Sequence, residues 1–263
     1  MIYLPGTYQQ GFAPRDFEPR FPELWRGCVY ASAPCLGPTG GVLREWSGYK
    51  NDGTITNATL DNAWARSVGL SALQLDGVDD FVSVPHISAF ASLSTGSVFS
   101  LWFYPTVSGA FQNLISKPSF NAFELRISSG DKLQFNASSG SQITSSTSVW
   151  LNNWNHAALV FNSSSTRMFL NRTLEATGAF TLGDNTSAIN FGRRLQFTDF
   201  YFTGMLDDFR IYNQQLPDTL LRLLSLRRGI AYEPRPSVYT ETAEQFLAAW
   251  LSRQSTIIGG GIA

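Results

Sequence analysis

The sequence predicts an all-β fold: an antiparallel β-sandwich of jelly-roll type, with an irregular N-terminal arm and a short C-terminal helical extension. Three observations carry this. Charged residues make up only 15% of the 263 residues, while aromatics reach 14% with 20 Phe, a composition that suits half-buried pleated surfaces better than solvated helices. Hydrophobic residues at 43% exclude a disordered chain, which has too few apolar groups to bury. From about residue 41 the chain runs in short segments of period-two character separated by turn clusters, the spacing of strands in sandwiches and jelly rolls.

Residues 1–40 read as the arm. They are rich in Pro and Gly, and "FAPRDFEPRFPELW" sets Phe12, Phe17, Phe21 and Trp25 among prolines as aromatic anchors of an extended segment. Residues 41–228 read as the sandwich, with strands at 72–76, 80–85, 97–105, 112–117, 123–128, 131–136, 156–162, 166–171, 187–193 and 201–212. "SSGDK", "NSSST" and "LGDNTS" supply turns, and in "RMFLNRTLEATG" one strand reaches a tight turn at Asn171–Arg172 and leaves again. "LPDTLLRLLSLRRG" predicts a short helix with Asp218 as N-cap and Gly229 beyond its end. Residues 229–263 form the extension: an extended stretch fixed by Pro234 and Pro236, a helix with the apolar stripe Phe246, Leu247, Trp250 and Leu251, and a Gly-rich tail with Ile257 and Ile258.

The formal charge of -1 gives no electrostatic footprint for nucleic acid or an anionic membrane. No apolar stretch approaches the roughly 20 residues that span a bilayer, and "MIYLPGTYQQGFAPRDF" lacks the basic and apolar regions of a signal peptide. Cys28 and Cys35 are too few for a disulfide framework or a four-ligand zinc site, so free buried thiols are expected.

The motifs "LQLDGVDDFVSVP", "FSLWFYP", "WNHAALVFN", "RMFLNRTLEATG", "INFGRR" and "FTGMLDDFRIYNQQL" follow in order across roughly 70–225. This set resembles the laminin-G-like domains of the concanavalin A-like lectin/glucanase superfamily. That resemblance implies the sandwich fold, but one sandwich hosts lectins, enzymes and adhesion modules, so it does not fix function. The lead-in "PCLGPTGGVLREWSGYKNDGTITN" and the Gly-rich end are similar to virion components of tailed bacteriophages. The resemblance implies a non-enzymatic virion structural protein, made in the host cytoplasm without a signal peptide: a capsid decoration or cement protein, or a tail or fibre component. Its partners would be other virion proteins, met as an oligomer through the anchors of the arm and extension. The alternative is a carbohydrate-binding module that recognises host surface glycans.

For glycans, exposed aromatics and side-chain amides are the chemistry to seek. Trp150, Asn152, Asn153 and Trp154 in "SVWLNNWN" form the most lectin-like patch, with Trp102 and Tyr104 as further candidates. In "MLDDFRIY", alternation sets Asp207 on the face of Phe209 and Ile211, and turns Asp208 and Arg210 outward as solvated charge. The resemblance implies a structural calcium at Asp207, with Asp76, Gly77 or Asp79 of "LDGVDD" as further oxygen ligands. The bland reading is that Asp207 caps backbone amides. No catalytic residue is assigned: no two glutamates stand at alternate strand positions, as retaining glycoside hydrolysis on this fold needs, and Glu124 stands alone as a solvent-facing residue. His86 and His156 have no metal-ligand spacing, and His156 reads as a satisfied core histidine.

Overall fold

The computed structural model describes residues 19–91, 93–94, 96–117, 123–137, 142–182, 185–194 and 200–234. One sheet contains β1 (Cys28–Ser32), β4 (Trp64–Ser67), β5 (Leu70–Asp76), β7 (Ser97–Pro105), β12 (Asn155–Phe161), β13 (Thr166–Leu170), β14 (Thr173–Gly178) and β16 (Thr203–Tyr212). The other contains β2 (Val42–Leu43), β3 (Gly53–Thr56), β6 (Phe81–Val84), β8 (Gln112–Lys117), β9 (Phe123–Ile127), β10 (Lys132–Ala137), β11 (Gln142–Ser148) and β15 (Ile189–Phe191). The first runs β14-β13-β12-β7-β16-β5-β4, and the second β11-β10-β9-β8-β15-β6-β3-β2. The long β16 serves two neighbours on one edge: β5 pairs with its first half and β1 with its second.

Alternation builds the core between the sheets. In β9, Phe123, Leu125 and Ile127 point inward, where they join Leu101, Phe103, Phe135, Leu159, Phe191 and Phe209. β7 is apolar on both faces because the outer face of its sheet is covered as well. Trp25, Ala31, Val98, Val160, Tyr212, Leu221, Leu224 and Ile230 form a second cluster there. The cover comes from the segment before β1, the helix α1 (Asp218–Leu224) and the turn Ile230–Tyr232.

All ten expected strands are present. β1 to β4, β11 and β14 were not among those ranges, β14 being the return of the chain from the turn expected at Asn171–Arg172. β11 is "QITSSTS" on a sheet edge, mostly exposed, so it carries no hydrophobic alternation to read. β1 lies within residues 1–40, so part of the expected arm belongs to the sheet itself. Trp25 is fully buried, donates Nε1–H to the Ala231 carbonyl at 3.0 Å and meets Tyr232 edge-on at 5.2 Å. Phe21 packs against the same cluster. These two anchors therefore hold the chain to itself. Phe12, Phe17, Phe246, Leu247, Trp250, Leu251, Ile257 and Ile258 lie outside the described residues.

The α1 helix is capped by Pro217 rather than Asp218, which is its first residue and pairs with Arg167 at 2.6 Å. Gly229, at φ +74°, opens the turn Ile230–Tyr232, and a Cβ there would come within 2.9 Å of Cys35 Sγ. Both thiols are free and buried. The first and last described segments run side by side: Pro19 bridges Pro234, and Arg20 N–H donates to the Glu233 carbonyl at 2.8 Å. No helix among the described residues is long and apolar enough to cross a membrane.

Candidate functional site

The paired carboxylates of β16 sit in a bulge. Asp207 is opposite Trp102 and Arg210 opposite Ser100, so β16 carries one residue more than β7 across that interval. Asp208 takes up the extra length at φ +45°. Leu206, Phe209 and Ile211 face the core, while both aspartates and Arg210 turn to the outer face. This corrects the expected alternation, and neither Asp208 nor Arg210 is solvated: they are 2% and 1% exposed.

Asp207 Oδ1 accepts the N–H groups of Cys35 and Asp208 at 2.9 and 2.7 Å, and Oδ2 pairs with Arg228 at 3.2 Å. Asp208 pairs with Arg210 Nε at 3.0 Å and accepts the Gly229 N–H at 3.0 Å. The Arg210 guanidinium lies over the rings of Trp25 and Tyr232, 4.6 and 4.8 Å from their centroids. Burial, reinforced by the Asp208 carboxylate, pushes Asp207 up to about 7, against the pull of Arg228 and the two N–H donors. The bulge is a buried clasp that fastens residues 33–37 and 228–232 onto the sheet. Asp207 caps backbone amides, as the bland reading has it, and a guanidinium already supplies its cation.

The expected calcium set is not brought together. Asp76 pairs with Thr203, four residues along β16 from Asp207, a separation of roughly 13 Å at strand rise. Asp76 instead gathers with Asp79 and Asp80, their carboxylate oxygens within 4.8 Å of one another. These three and Asn57, Thr59, Asn62 and Gln74 line a surface cleft of about 190 Å³. Gly77 makes this turn possible: at φ +81° it lies so close to Thr203 that a Cβ would overlap Oγ1. Hard oxygen donors of this kind fit a calcium ion; Asp207 does not belong to the set.

The six expected glycan residues divide. Trp150 is 55% exposed, and Leu151, Asn152 and Asn153 beside it are exposed too. The buried Asn155 holds this loop: Oδ1 accepts the Trp150 N–H at 2.9 Å, and Nδ2 donates to the carbonyls of Trp150 and Asn153 at 2.8 and 3.0 Å. The Asn152 N–H donates to the Pro105 carbonyl at 2.8 Å. Trp154, Trp102 and Tyr104 belong instead to the outer face of the first sheet. Trp154 donates to Ser67 Oγ at 3.0 Å, meets Tyr104 edge-on at 5.6 Å and lies under Arg228 at 4.0 Å. Trp102 donates to the Leu224 carbonyl at 3.2 Å.

Glu124 is not solvent-facing as expected: it is largely buried and pairs with Arg126 at 3.2 Å and Arg194 at 2.6 Å. His156 is buried against Ser100 Oγ at 2.9 Å. Sequence reasoning missed Arg228 and Cys35 as partners of Asp207. They lie 21 and 172 residues from it, and nothing local marks them.

Two antiparallel sheets face to face define a β-sandwich domain, with an exposed tryptophan on one of its loops. The laminin-G-like profile of the concanavalin A-like lectin/glucanases superfamily matches residues 76–219, more than half of the chain. The chain belongs to this family. Comparison with curated proteins gave no match. Among solved structures, the binding domain of Paraclostridial Mosquitocidal Protein 1 is similar with a TM-score of 0.62 and 16% identity, over 77% of this chain and 52% of that one. Trypanosoma rangeli sialidase in complex with 2,3-difluorosialic acid matches with a TM-score of 0.60 and 14% identity, over 76% of this chain and 33% of that one. Domain 4 of AbnA, an extracellular arabinanase of Geobacillus stearothermophilus, in complex with arabinotriose, matches with a TM-score of 0.58 and 18% identity, over 75% of this chain and 98% of that one. The chain thus spans about half or less of the first two, and at these identities the likeness is one of fold.

Proposed function

We propose that this chain is a non-catalytic saccharide-binding module that recognises glycans through the rim loop 149–154. The observation that carries it is Trp150, 55% exposed on a loop whose backbone is fixed by the buried Asn155. An exposed indole carried on a fixed backbone offers apolar area to a pyranose face at a reduced ordering cost on binding. Asn152 and Asn153 supply donors and acceptors for hydroxyls. The arabinotriose complex of the similar AbnA domain supports the reading. Against catalysis, Asp207, Asp208 and Glu124 are each engaged by an arginine. Calcium, where bound, would be held by Asp76, Asp79 and Asp80 and would stiffen the adjoining turn.

The test is calorimetry of the full chain against a panel of oligosaccharides, arabinotriose included, with Trp150→Ala beside the wild type. A binder whose affinity falls roughly tenfold or more in the variant is expected, the scale of losing an aromatic stacking contact. Equal affinity in the two proteins would sink the assignment to this loop.

A second reading is a virion structural protein, capsid decoration or tail component, docked through its terminal segments. It is favoured by the bridge between Pro19 and Pro234, which sets the first and last described residues side by side, so that one partner surface suffices for both terminal segments. Removal of 235–263 should then abolish assembly onto particles and leave saccharide binding unchanged.

A further inference from the structure

A second, smaller cleft lies on the outer face of the first sheet, between β12, β13, β14 and α1, with a volume of about 90 Å³. His156, Ala158 and Phe169 form its buried floor, and the exposed Arg172 and Arg222 stand at its mouth. Three features make it more than a crevice.

First, neither Arg172 nor Arg222 has a carboxylate partner among the described residues. Asp218 also lines the cleft, but it is engaged by Arg167 at 2.6 Å. Two like charges facing one small space repel, and an oxyanion between them relieves that repulsion. Second, Arg172 has φ +76° and follows Asn171 at φ +48°. Such a turn is met with least strain by glycine, and a side chain there is strained. An arginine in that place points to a use for its guanidinium, which is oriented by Nε donating to the Ser225 carbonyl at 3.3 Å. Third, the floor of His156, Ala158 and Phe169 carries no carboxylate to oppose an anion; burial, with Arg172 next in effect, holds His156 down at about 3, so the positive charge comes from the arginines alone.

The cleft is tied to the rim loop. Asn155 Oδ1 accepts both the Trp150 N–H at 2.9 Å and Asn171 Nδ2 at 3.1 Å, and Asn171 Oδ1 accepts the His156 N–H at 2.8 Å. The loop bearing Trp150 and the turn bearing Arg172 are therefore held in a fixed relation. The volume matches about three waters, which is room for a carboxylate or sulfate group but not for a whole sugar ring.

The geometry points to an oxyanion subsite in which Arg172 and Arg222 hold the carboxylate or sulfate of an acidic saccharide whose adjoining unit lies on Trp150. This rests on the rim-loop reading for the adjoining unit, but not for the anion.

The experiment uses the full chain in two arms. In the first, sodium sulfate is titrated at constant ionic strength against chloride, with binding followed by NMR shifts in wild type, Arg172→Gln, Arg222→Gln and Trp150→Ala. Saturable binding is expected that weakens roughly tenfold in each arginine variant and is unchanged in Trp150→Ala. Absence of saturation, or equal binding in the arginine variants, overturns the subsite. In the second arm, galacturonate oligomers are compared with their methyl esters. A preference of about tenfold or more for the free acid, lost in Arg172→Gln and Arg222→Gln, is expected. Sulfate binding without any preference for the acid overturns the saccharide assignment and leaves a site for free oxyanions. Sulfate binding with no effect of Trp150→Ala on any sugar overturns the rim-loop reading alone.

Discussion

At the β16 bulge two arginines, Arg210 and Arg228, are committed to the chain's own carboxylates and lie buried. At the rim cleft two others, Arg172 and Arg222, stand exposed without carboxylate partners among the described residues. The residue type is the same and the surroundings decide its work. A buried guanidinium must be matched by the protein, because no water can serve it. An exposed one is served by water, which a ligand displaces at little cost. The first arrangement binds chain to chain, and the second leaves charge free for exchange.

The sharpest way to break this contrast is to remove one arginine from each place. Arg210→Ala strands Asp208 in the interior and should destabilise the fold by about 3–5 kcal/mol in urea unfolding, the usual penalty for half of a buried pair. Arg222→Ala should change stability by less than about 0.5 kcal/mol. A loss below about 1 kcal/mol for Arg210→Ala, against the expected 3–5, would mean that the clasp does not hold the fold.

Protons probe the same contrast with a smaller effect. His156 is held down at about 3 in the folded chain from an unfolded value of 6.5. Its neutral form is favoured by folding, so this stabilisation is full above pH 6.5 and is lost as pH falls toward 3. Asp207 acts in the opposite sense. Raised from 3.8 to about 7, it stabilises most below pH 3.8 and loses that contribution as pH rises through 7. Unfolding measured across this range should give a steeper decline toward acid in Asp207→Asn than in wild type, because the opposing slope is removed. An unchanged pH profile would show that Asp207 titrates alike in both states.

The smallest expected gain in stability concerns the acidic cleft, which belongs neither to the clasp nor to the arginine cleft. Calcium at about ten times its dissociation constant should stabilise by roughly 1.4 kcal/mol and raise Tm by about 2–4 °C. Asp79→Asn should abolish this shift while Asp207→Asn keeps it. A shift lost in Asp207→Asn as well would put the ion back at the bulge.

The legibility of these places in the sequence follows from the range of the interactions that build them. The strands at 97–105, 123–127 and 155–161 were readable because an alternating run, as in β9, or a short continuous apolar run bounded by turn signals, as in β7 and β12, is a local signal. The polar edge strand β11 and the two-residue β2 carry no such pattern. In the rim loop, Trp150, Asn152 and Asn153 were legible as a lectin-like patch, yet nothing local separates Trp150, which is exposed, from Trp154 and Trp102, which are not. The Arg172–Arg222 cleft was not anticipated, because its arginines come from a hairpin turn and a helix 50 residues apart.

By itself, then, the sequence determined the sandwich, the places of its long strands along the chain and the turn at Asn171–Arg172, which follow from residues within one strand or turn of each other. Tertiary structure alone decided where the charges went. One extra residue in β16 reversed the direction of Asp207, and Cys35 and Arg228 closed around it from 172 and 21 residues away, while Gly229 closed on Asp208. The physical reason is that a side chain's direction along a strand is set by local pleating, whereas the partner of a buried charge is set by whichever distant segment covers it.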